Sequence, residues 1–172
     1  MNYLDKALNF PLISRIRRNH ALEHATLQML ARKNSNLAAA GYSDPRGFFV
    51  IGNVSTDQLR EAVNEALRRL RAGEEGLAVH PNCGTNFAAS GLVAGTLGWL
   101  AMLGSGGDVR RRMERWPVVV MLVTAGLILS QPLGPLLQAK VTTDGDIAEL
   151  EVTEITRFER EGTPVHRVKT IN

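Results

Sequence analysis

Cysteine and histidine are scarce in this chain: its 172 residues include one cysteine and four histidines. A single cysteine excludes an intrachain disulfide framework as a source of stability. The sequence also lacks a P-loop and a G-x-G-x-x-G pattern, so it carries no signature of nucleotide binding. Four of the five cysteine and histidine residues fall into two short clusters, and these clusters are the most informative positions in the chain.

Charged side chains are missing from two long segments. No Asp, Glu, Lys or Arg occurs in 81–107 or in 116–139. The apolar core of each segment reaches the roughly 18–25 residues with which a helix crosses a bilayer. We therefore expect two transmembrane helices at 87–138 with a basic loop at 105–115. The alternative is a pair of buried helices in a soluble bundle.

The expected hairpin also indicates a location and partners. Gly91 and Gly95 form a small-xxx-small pair, which lets two helices approach closely and offers a face for a homo-oligomer. The positive-inside rule places the arginines of the loop in the cytoplasm. The N-terminal part has no cleavable signal peptide, which favours a cytoplasmic main domain instead. We expect an integral protein of the bacterial inner membrane whose orientation stays open.

Basic residues slightly outnumber acidic ones, with 20 Lys and Arg against 17 Asp and Glu and a pI of about 9.4. The basic clusters at 15–18, 68–71 and 110–115 contain no interleaved aromatic residues, unlike surfaces that stack nucleic-acid bases. A nearby anionic lipid bilayer explains these clusters more simply. We expect a lipid partner and no nucleic acid.

The first cluster is the stretch His20-Ala21-Leu22-Glu23-His24, which has the spacing H-x-x-E-H. Positions i, i+3 and i+4 share one stripe of a helix, so the two imidazoles and the carboxylate project together. Two imidazoles can hold a divalent metal while Glu23 acts as the general base of a hydrolase. Glu23 could instead orient a ligand imidazole, or all three groups could belong to a buried hydrogen-bond network.

The second cluster, at 80–86, contains His80 and Cys83 in His-x-x-Cys spacing. Together with His20 and His24 they give four candidate ligands of the types that zinc prefers, although another transition metal would suit the same donors. Four protein ligands would make a closed structural site, whereas three and a water would make an open catalytic site. The alternative is a buried free cysteine beside a turn histidine. We expect the remaining histidine, His166, at the surface.

The rest of the chain predicts a small α+β domain. Its expected elements are a helix at 11–33, strands at 37–42 and 47–54, a helix that follows the capping box Ser55–Gln58 and runs to 71, a short strand at 77–80 and a hairpin with strands at 147–155 and 165–171. We expect three parts: an α+β domain at 1–86, the membrane helices at 87–138, and a C-terminal β-hairpin at 139–172 that joins the same sheet. The predicted fold class is an α+β domain split by a transmembrane helical hairpin.

At His20–His24 the chain resembles the inverzincin metallopeptidases of the pitrilysin and insulysin type, whose motif often reads His-x-Leu-Glu-His. The resemblance implies that His20 and His24 bind zinc and that Glu23 is the general base. That family uses a downstream glutamate as third ligand; here the corresponding region is uncharged, so His80 or Cys83 would take the role. As a whole, the chain looks like a small uncharacterised family of bacterial two-span membrane proteins with the same helix motif and a His-Pro-x-Cys-Gly-Thr-Asn loop, which implies no activity.

These observations predict a membrane-anchored, zinc-dependent hydrolase, most specifically a metallopeptidase that cleaves membrane-proximal peptides. In this prediction the metal ligands are His20, His24, His80 and Cys83, and Glu23 is catalytic. The alternative is a non-catalytic membrane protein that has a structural metal site or a polar network and serves as a subunit of a larger complex.

Overall fold

A computed structural model of the chain describes residues 3–147 and 149–171. The chain divides into two compact units. The first unit comprises Met1–His80 and Gln138–Asn172, and the second comprises Pro81–Leu137. The chain therefore leaves the first unit after His80 and returns to it at Gln138.

The first unit is an α+β domain built on a four-stranded antiparallel sheet of order β1-β2-β4-β3. The strands are β1 (Ala39–Asp44), β2 (Gly47–Gly52), β3 (Glu151–Arg160) and β4 (Thr163–Ile171). The C-terminal hairpin joins the sheet through β4, which pairs with β2. Its turn consists of Glu161 and Gly162, which both have positive φ, as the tight turns that suit twisted hairpins require.

Two long helices, α2 and α3, pack on the sheet. After the short helix α1 (Tyr3–Leu8), α2 (Pro11–Lys33) begins at a proline and extends over the residues that the sequence predicts. Helix α3 (Thr56–Arg71) has the predicted capping box, in which Ser55 and Gln58 each accept the other's backbone N–H.

The core of the first unit lies between these helices and one face of the sheet. Its completely buried apolar residues are Ala21, Leu22, Ala25, Phe48, Val50, Leu59, Ala62, Val63, Ala66, Leu150 and Val168. Glu23 and His24 are buried on the same helix as the first three of these. The H-x-x-E-H helix is therefore anchored in the core, which limits the positions that its polar side chains can adopt.

Two expectations for the first unit are wrong. The segment 77–80 is not a strand: Glu75–Ala78 is a 3₁₀ helix, and side-chain donation from Gln28 to the carbonyls of Leu77 and Val79 replaces strand pairing. His166 is not a surface residue but is completely buried. The alternation of β4 turns it towards the core, where its Nε2 lies 3.2 Å from Thr56 Oγ1.

The second unit consists mainly of helices α4 (Gly84–Met102) and α5 (Val109–Leu129), which pack against each other and are followed by the short helix α6 (Leu133–Leu137). Small residues allow the close approach. A Cβ added at Gly126 would lie 2.8 Å from Leu97 Cδ1 and 3.2 Å from the Cα of Ala94. Because α5 begins at Val109, its arginines lie on a helix and not in the expected loop at 105–115.

The predicted transmembrane helical hairpin is wrong: within the described residues, no single helix is both long and apolar enough to span a membrane. Glycine, serine, threonine and asparagine dilute the apolar content of α4, and the first turns of α5 are rich in arginine. The bent pair Val109–Leu129 and Leu133–Thr142, which turns by 48° at its break, meets the criteria of length and composition only when taken together.

We predict that acidification destabilises the first unit through His166. Its Nδ1 is buried without a hydrogen-bond partner, and burial, together with the charge of Arg157, lowers its pKa. The His166 imidazole therefore binds a proton more readily in the unfolded chain than in the folded chain. Its contribution to the free energy of unfolding is fully present above the unfolded pKa of about 6.5 and is lost as the pH falls below that value. The free energy of unfolding in urea should decrease from about pH 7 to about pH 5, and less so in His166→Leu. An equal pH dependence in both chains would contradict this prediction.

Candidate metal centre

Helix α2 presents His20 and His24 side by side, as their i, i+4 spacing requires. Their ring centroids are 4.2 Å apart and the rings are inclined by 61°. His24 is only 2% exposed, and His20 is partly buried. The helix therefore brings two imidazoles together in a place largely shielded from water, where each polar nitrogen needs a partner.

In both histidines the Nδ1 atom forms a hydrogen bond with a backbone carbonyl. The Nδ1 of His20 lies 3.0 Å from the carbonyl oxygen of Thr142, and the Nδ1 of His24 lies 2.6 Å from that of Ala78. A carbonyl oxygen can only accept a hydrogen bond, so Nδ1 is the donor in each case. In a neutral imidazole the lone pair then resides on Nε2. Such a bond to a carbonyl is also what typically orients a histidine that binds a metal.

Cys83, the remaining candidate ligand, follows His80 by three residues and belongs to the second unit. It is buried, and its Sγ accepts the backbone N–H of Thr85 as the N-cap of α4, a position that favours negative charge. A thiolate and imidazole nitrogens are ligand types that zinc prefers.

The backbone of 77–80 is held in place beside His24. Gln28, one turn beyond His24, donates to the carbonyls on either side of Ala78, and the N–H of His80 donates to Gln138 Oε1 at 2.8 Å. The His80 ring centroid lies 5.5 Å from that of His24. The first unit thus brings the rings of three predicted ligands together: His20, His24 and His80.

The predicted base, Glu23, is directed towards β1. It is 4% exposed, and its Oε2 accepts a hydrogen bond of 2.5 Å from Ser43 Oγ. Its side chain lies on Gly41, where there is no Cβ to occupy the space. In the described part of the chain, its carboxylate is not grouped with the ligand nitrogens of His20 and His24. Glu23 thus shares the helical stripe of the histidines but has partners of its own.

Sequence reasoning missed the residues that support the site: Gly41, Ser43, Gln28 and Gln138. Gln28 carried a usable signal, because it follows His20 and His24 at the same interval of four along the helix. Gly41 and Ser43 also carried a usable signal, because they are two residues apart on a strand and therefore face the same side of the sheet. Gln138, which is completely buried, had no signal because its role depends on where the chain returns to the first unit.

We predict that Gly41→Ala destabilises the protein by about 1–3 kcal/mol, the usual cost of overpacking. The new Cβ would lie 2.6 Å from Cγ of Glu23 and would overlap its carboxylate. Urea denaturation measures the loss, and Gly76→Ala is the control because nothing lies within 4 Å of a Cβ there. In a Glu23→Ala background the cost of Gly41→Ala should largely disappear. An unchanged cost in that background would mean that Glu23 is not the residue it displaces.

Comparisons with known proteins place the candidate site within a family. The sequence model of a family described as "Domain of unknown function (DUF6391)" matches residues 15–155, a range that includes every candidate ligand. The chain is also similar to an uncharacterized protein of Picosynechococcus sp. (strain PCC 7002), with 39% identity over 98 residues. That similarity covers 49% of this chain and 48% of the relative, so it spans about half the length of each. No solved structure matches the chain.

Proposed function

Because the chain belongs to the DUF6391 family, whose description gives no activity, we propose a function from the geometry of the metal centre. The protein is a zinc-dependent hydrolase in which His20, His24 and Cys83 hold the ion and Glu23 is the base. Three protein ligands leave a fourth position for water, as in catalytic zinc sites. The spacing of H-x-x-E-H supports a peptidase, and its substrate is a peptide close to a membrane.

The observation that carries the metal assignment is the pair of Nδ1–carbonyl hydrogen bonds at His20 and His24. These bonds select one tautomer and one orientation for each ring, which lowers the cost of ordering the ligands when an ion binds. Two nitrogens and one thiolate sulfur are donors that suit zinc. A zinc ion bound there would supply Lewis acidity and lower the pKa of a water molecule.

The chain's own residues perform the remaining tasks. Glu23 accepts a proton from the attacking water and returns it to the leaving amine, which requires its ionised form at the start. Ser43, which donates to Oε2, stabilises that form and orients the carboxylate. Gly41 has no Cβ, which leaves the space that the Glu23 side chain occupies beside Ser43.

A second candidate function is a structural zinc site, which the position of His80 favours. Its ring lies close to that of His24, and hydrogen bonds hold the backbone around it. His80 as a fourth ligand would close the coordination shell and leave no place for water. The ion would then stabilise the first unit and perform no chemistry.

We predict that the purified chain binds about one equivalent of zinc or cobalt. In the cobalt form, a thiolate-to-metal charge-transfer band should be present and should be lost in Cys83→Ser. His24→Ala should weaken the affinity by more than about tenfold, because it removes a ligand. His166→Leu is the matched control, since it removes a buried histidine outside the proposed ligand set. Less than about 0.2 equivalents in the unsubstituted chain would refute the metal site.

We predict that Glu23→Gln separates the two functions. A hydrolase with this substitution should retain its zinc but lose about 10²–10⁴-fold in the rate of cleavage of a fluorogenic peptide library. A structural site should lose neither zinc nor stability in Glu23→Gln, whereas His80→Ala should weaken zinc binding. Near-normal cleavage by Glu23→Gln, with zinc retained, would contradict the role of Glu23 as base. Thermal unfolding of each variant shows whether it remains folded.

A further inference from the structure

The second unit exposes many large apolar side chains, and their contact with water is energetically unfavourable. Phe87 and Leu92 on α4 are each 73% exposed, and Leu129 on α5 is 72% exposed. Other exposed apolar residues on these two helices are Trp99, Leu100, Val109, Met113, Trp116, Val118, Val120, Met121, Leu127 and Ile128. Exposed apolar side chains in this number mark a candidate interaction surface.

On α5 these side chains occupy the broad face of the helix that is turned away from α4. The residues that face α4 include Val119, Val123 and Gly126: a Cβ at Gly98 would meet the first two, and Gly126 lies on Ala94. Between Trp116 and Leu129 most of the other positions are both apolar and exposed. A helix that lies in a membrane interface buries such a wide apolar face among acyl chains and keeps basic residues at the headgroups.

Positive charge is concentrated at one end of the same unit. Arg110 and Arg111 expose 87% and 70% of their side chains at the start of α5, and Arg112 and Arg115 follow. Asp108 and Glu114 are the acidic residues nearby, so arginine predominates. Arg115 also donates to the carbonyl of Ala101, which fixes it at the end of α4.

We propose that the second unit docks into an anionic phospholipid bilayer through this surface. Its apolar side chains lie among the acyl chains, and Arg110, Arg111 and Arg112 contact the lipid phosphates. Trp99 and Trp116 lie near the arginine-rich end of the hairpin, where indoles favour the membrane–water interface. The proposal concerns insertion from one side, and no crossing of the bilayer is part of it. It is independent of the metal centre.

Charge argues against a second copy of this chain as the occupant. A second copy of this unit would offer the arginines no acidic cluster, since Asp108 and Glu114 are the acidic residues of 81–137, and in a parallel arrangement the like charges would repel. Anionic phosphates complement the same cluster, and attraction to such lipids grows with each basic residue near the surface. A lipid bilayer therefore covers the exposed apolar side chains and also pairs with the arginines, whereas a second copy of the chain covers only the apolar side chains.

The two tryptophans of the chain, which both lie in the second unit, provide a direct probe. The full-length protein is mixed with vesicles of phosphatidylcholine and phosphatidylglycerol. We expect a blue shift of the tryptophan emission, quenching by lipids brominated on their acyl chains, and loss of quenching by iodide. Shielded tryptophans that brominated lipids do not quench, in a chain that sediments as a dimer, would assign the surface to a second copy and overturn the proposal.

The arginines are tested by charge reversal. Arg110→Glu with Arg111→Glu should weaken co-sedimentation with anionic vesicles by at least about tenfold and should remove its dependence on salt. The matched control is Arg60→Glu with Arg68→Glu on α3, because these arginines are also exposed and, like Arg110 and Arg111, each pair with an acidic residue three or four positions away. Equal binding by the two variants, or binding of the unsubstituted chain that does not depend on phosphatidylglycerol, would refute the role of the arginines.

Discussion

The hydrogen bonds from Nδ1 of His20 and His24 to two backbone carbonyls are the interactions on which the first unit depends most. One carbonyl belongs to Ala78, just before the chain leaves this unit, and the other to Thr142, just after it returns. A third bond, from the His80 N–H to Gln138, joins the two ends directly. Helix α2 therefore connects the segment at which the chain leaves the first unit with the segment at which it returns. The side chains that make these hydrogen bonds, His20 and His24, are also two of the proposed metal ligands.

This arrangement has an energetic consequence for the site. Glu23, His24 and Gln138 are polar and nearly or completely buried, so each would cost several kcal/mol without a partner. Each has one: Ser43, the carbonyl of Ala78 and the N–H of His80, respectively. Because loss of a partner leaves the other group buried and unsatisfied, the network resists partial rearrangement. The hydrogen bonds consequently fix the orientation of the imidazoles.

The sequence could reveal the parts of this design that depend on local spacing. The interval between His20 and His24, the proline that begins α2 and the capping box at Ser55 all act within one or two helical turns, and each was predicted. The parts that depend on distant backbone were not predictable. A strand was expected at 77–80 because nothing in that segment reveals that Gln28 takes its carbonyls. His166 was expected at the surface because charged neighbours hid the face of β4 on which it lies.

The apolar segments illustrate a different limit. A count of uncharged residues treats 81–107 as uniform, but a helix that spans a bilayer also needs high hydropathy along its whole length, which glycine, threonine and asparagine reduce in α4. The prediction also placed 105–115 in a loop and did not recognise Asp108 as a helix N-cap. Because Asp108 caps α5, the arginines that follow it lie in the first turns of the helix. Absence of charge thus identified the apolar segments of the second unit, but not how the backbone arranges them.

In the proposed metal centre, the choice between a catalytic and a structural site depends on the rotamer of the His80 side chain. Hydrogen bonds to Gln138 and Gln28 hold the backbone at His80 and just before it. In one orientation the imidazole is available as a fourth ligand, and in another it leaves that position to water. A rotamer change costs much less than the binding of a ligand to zinc gains. The outcome in the proposed centre therefore depends on whether His80 or water takes the fourth position.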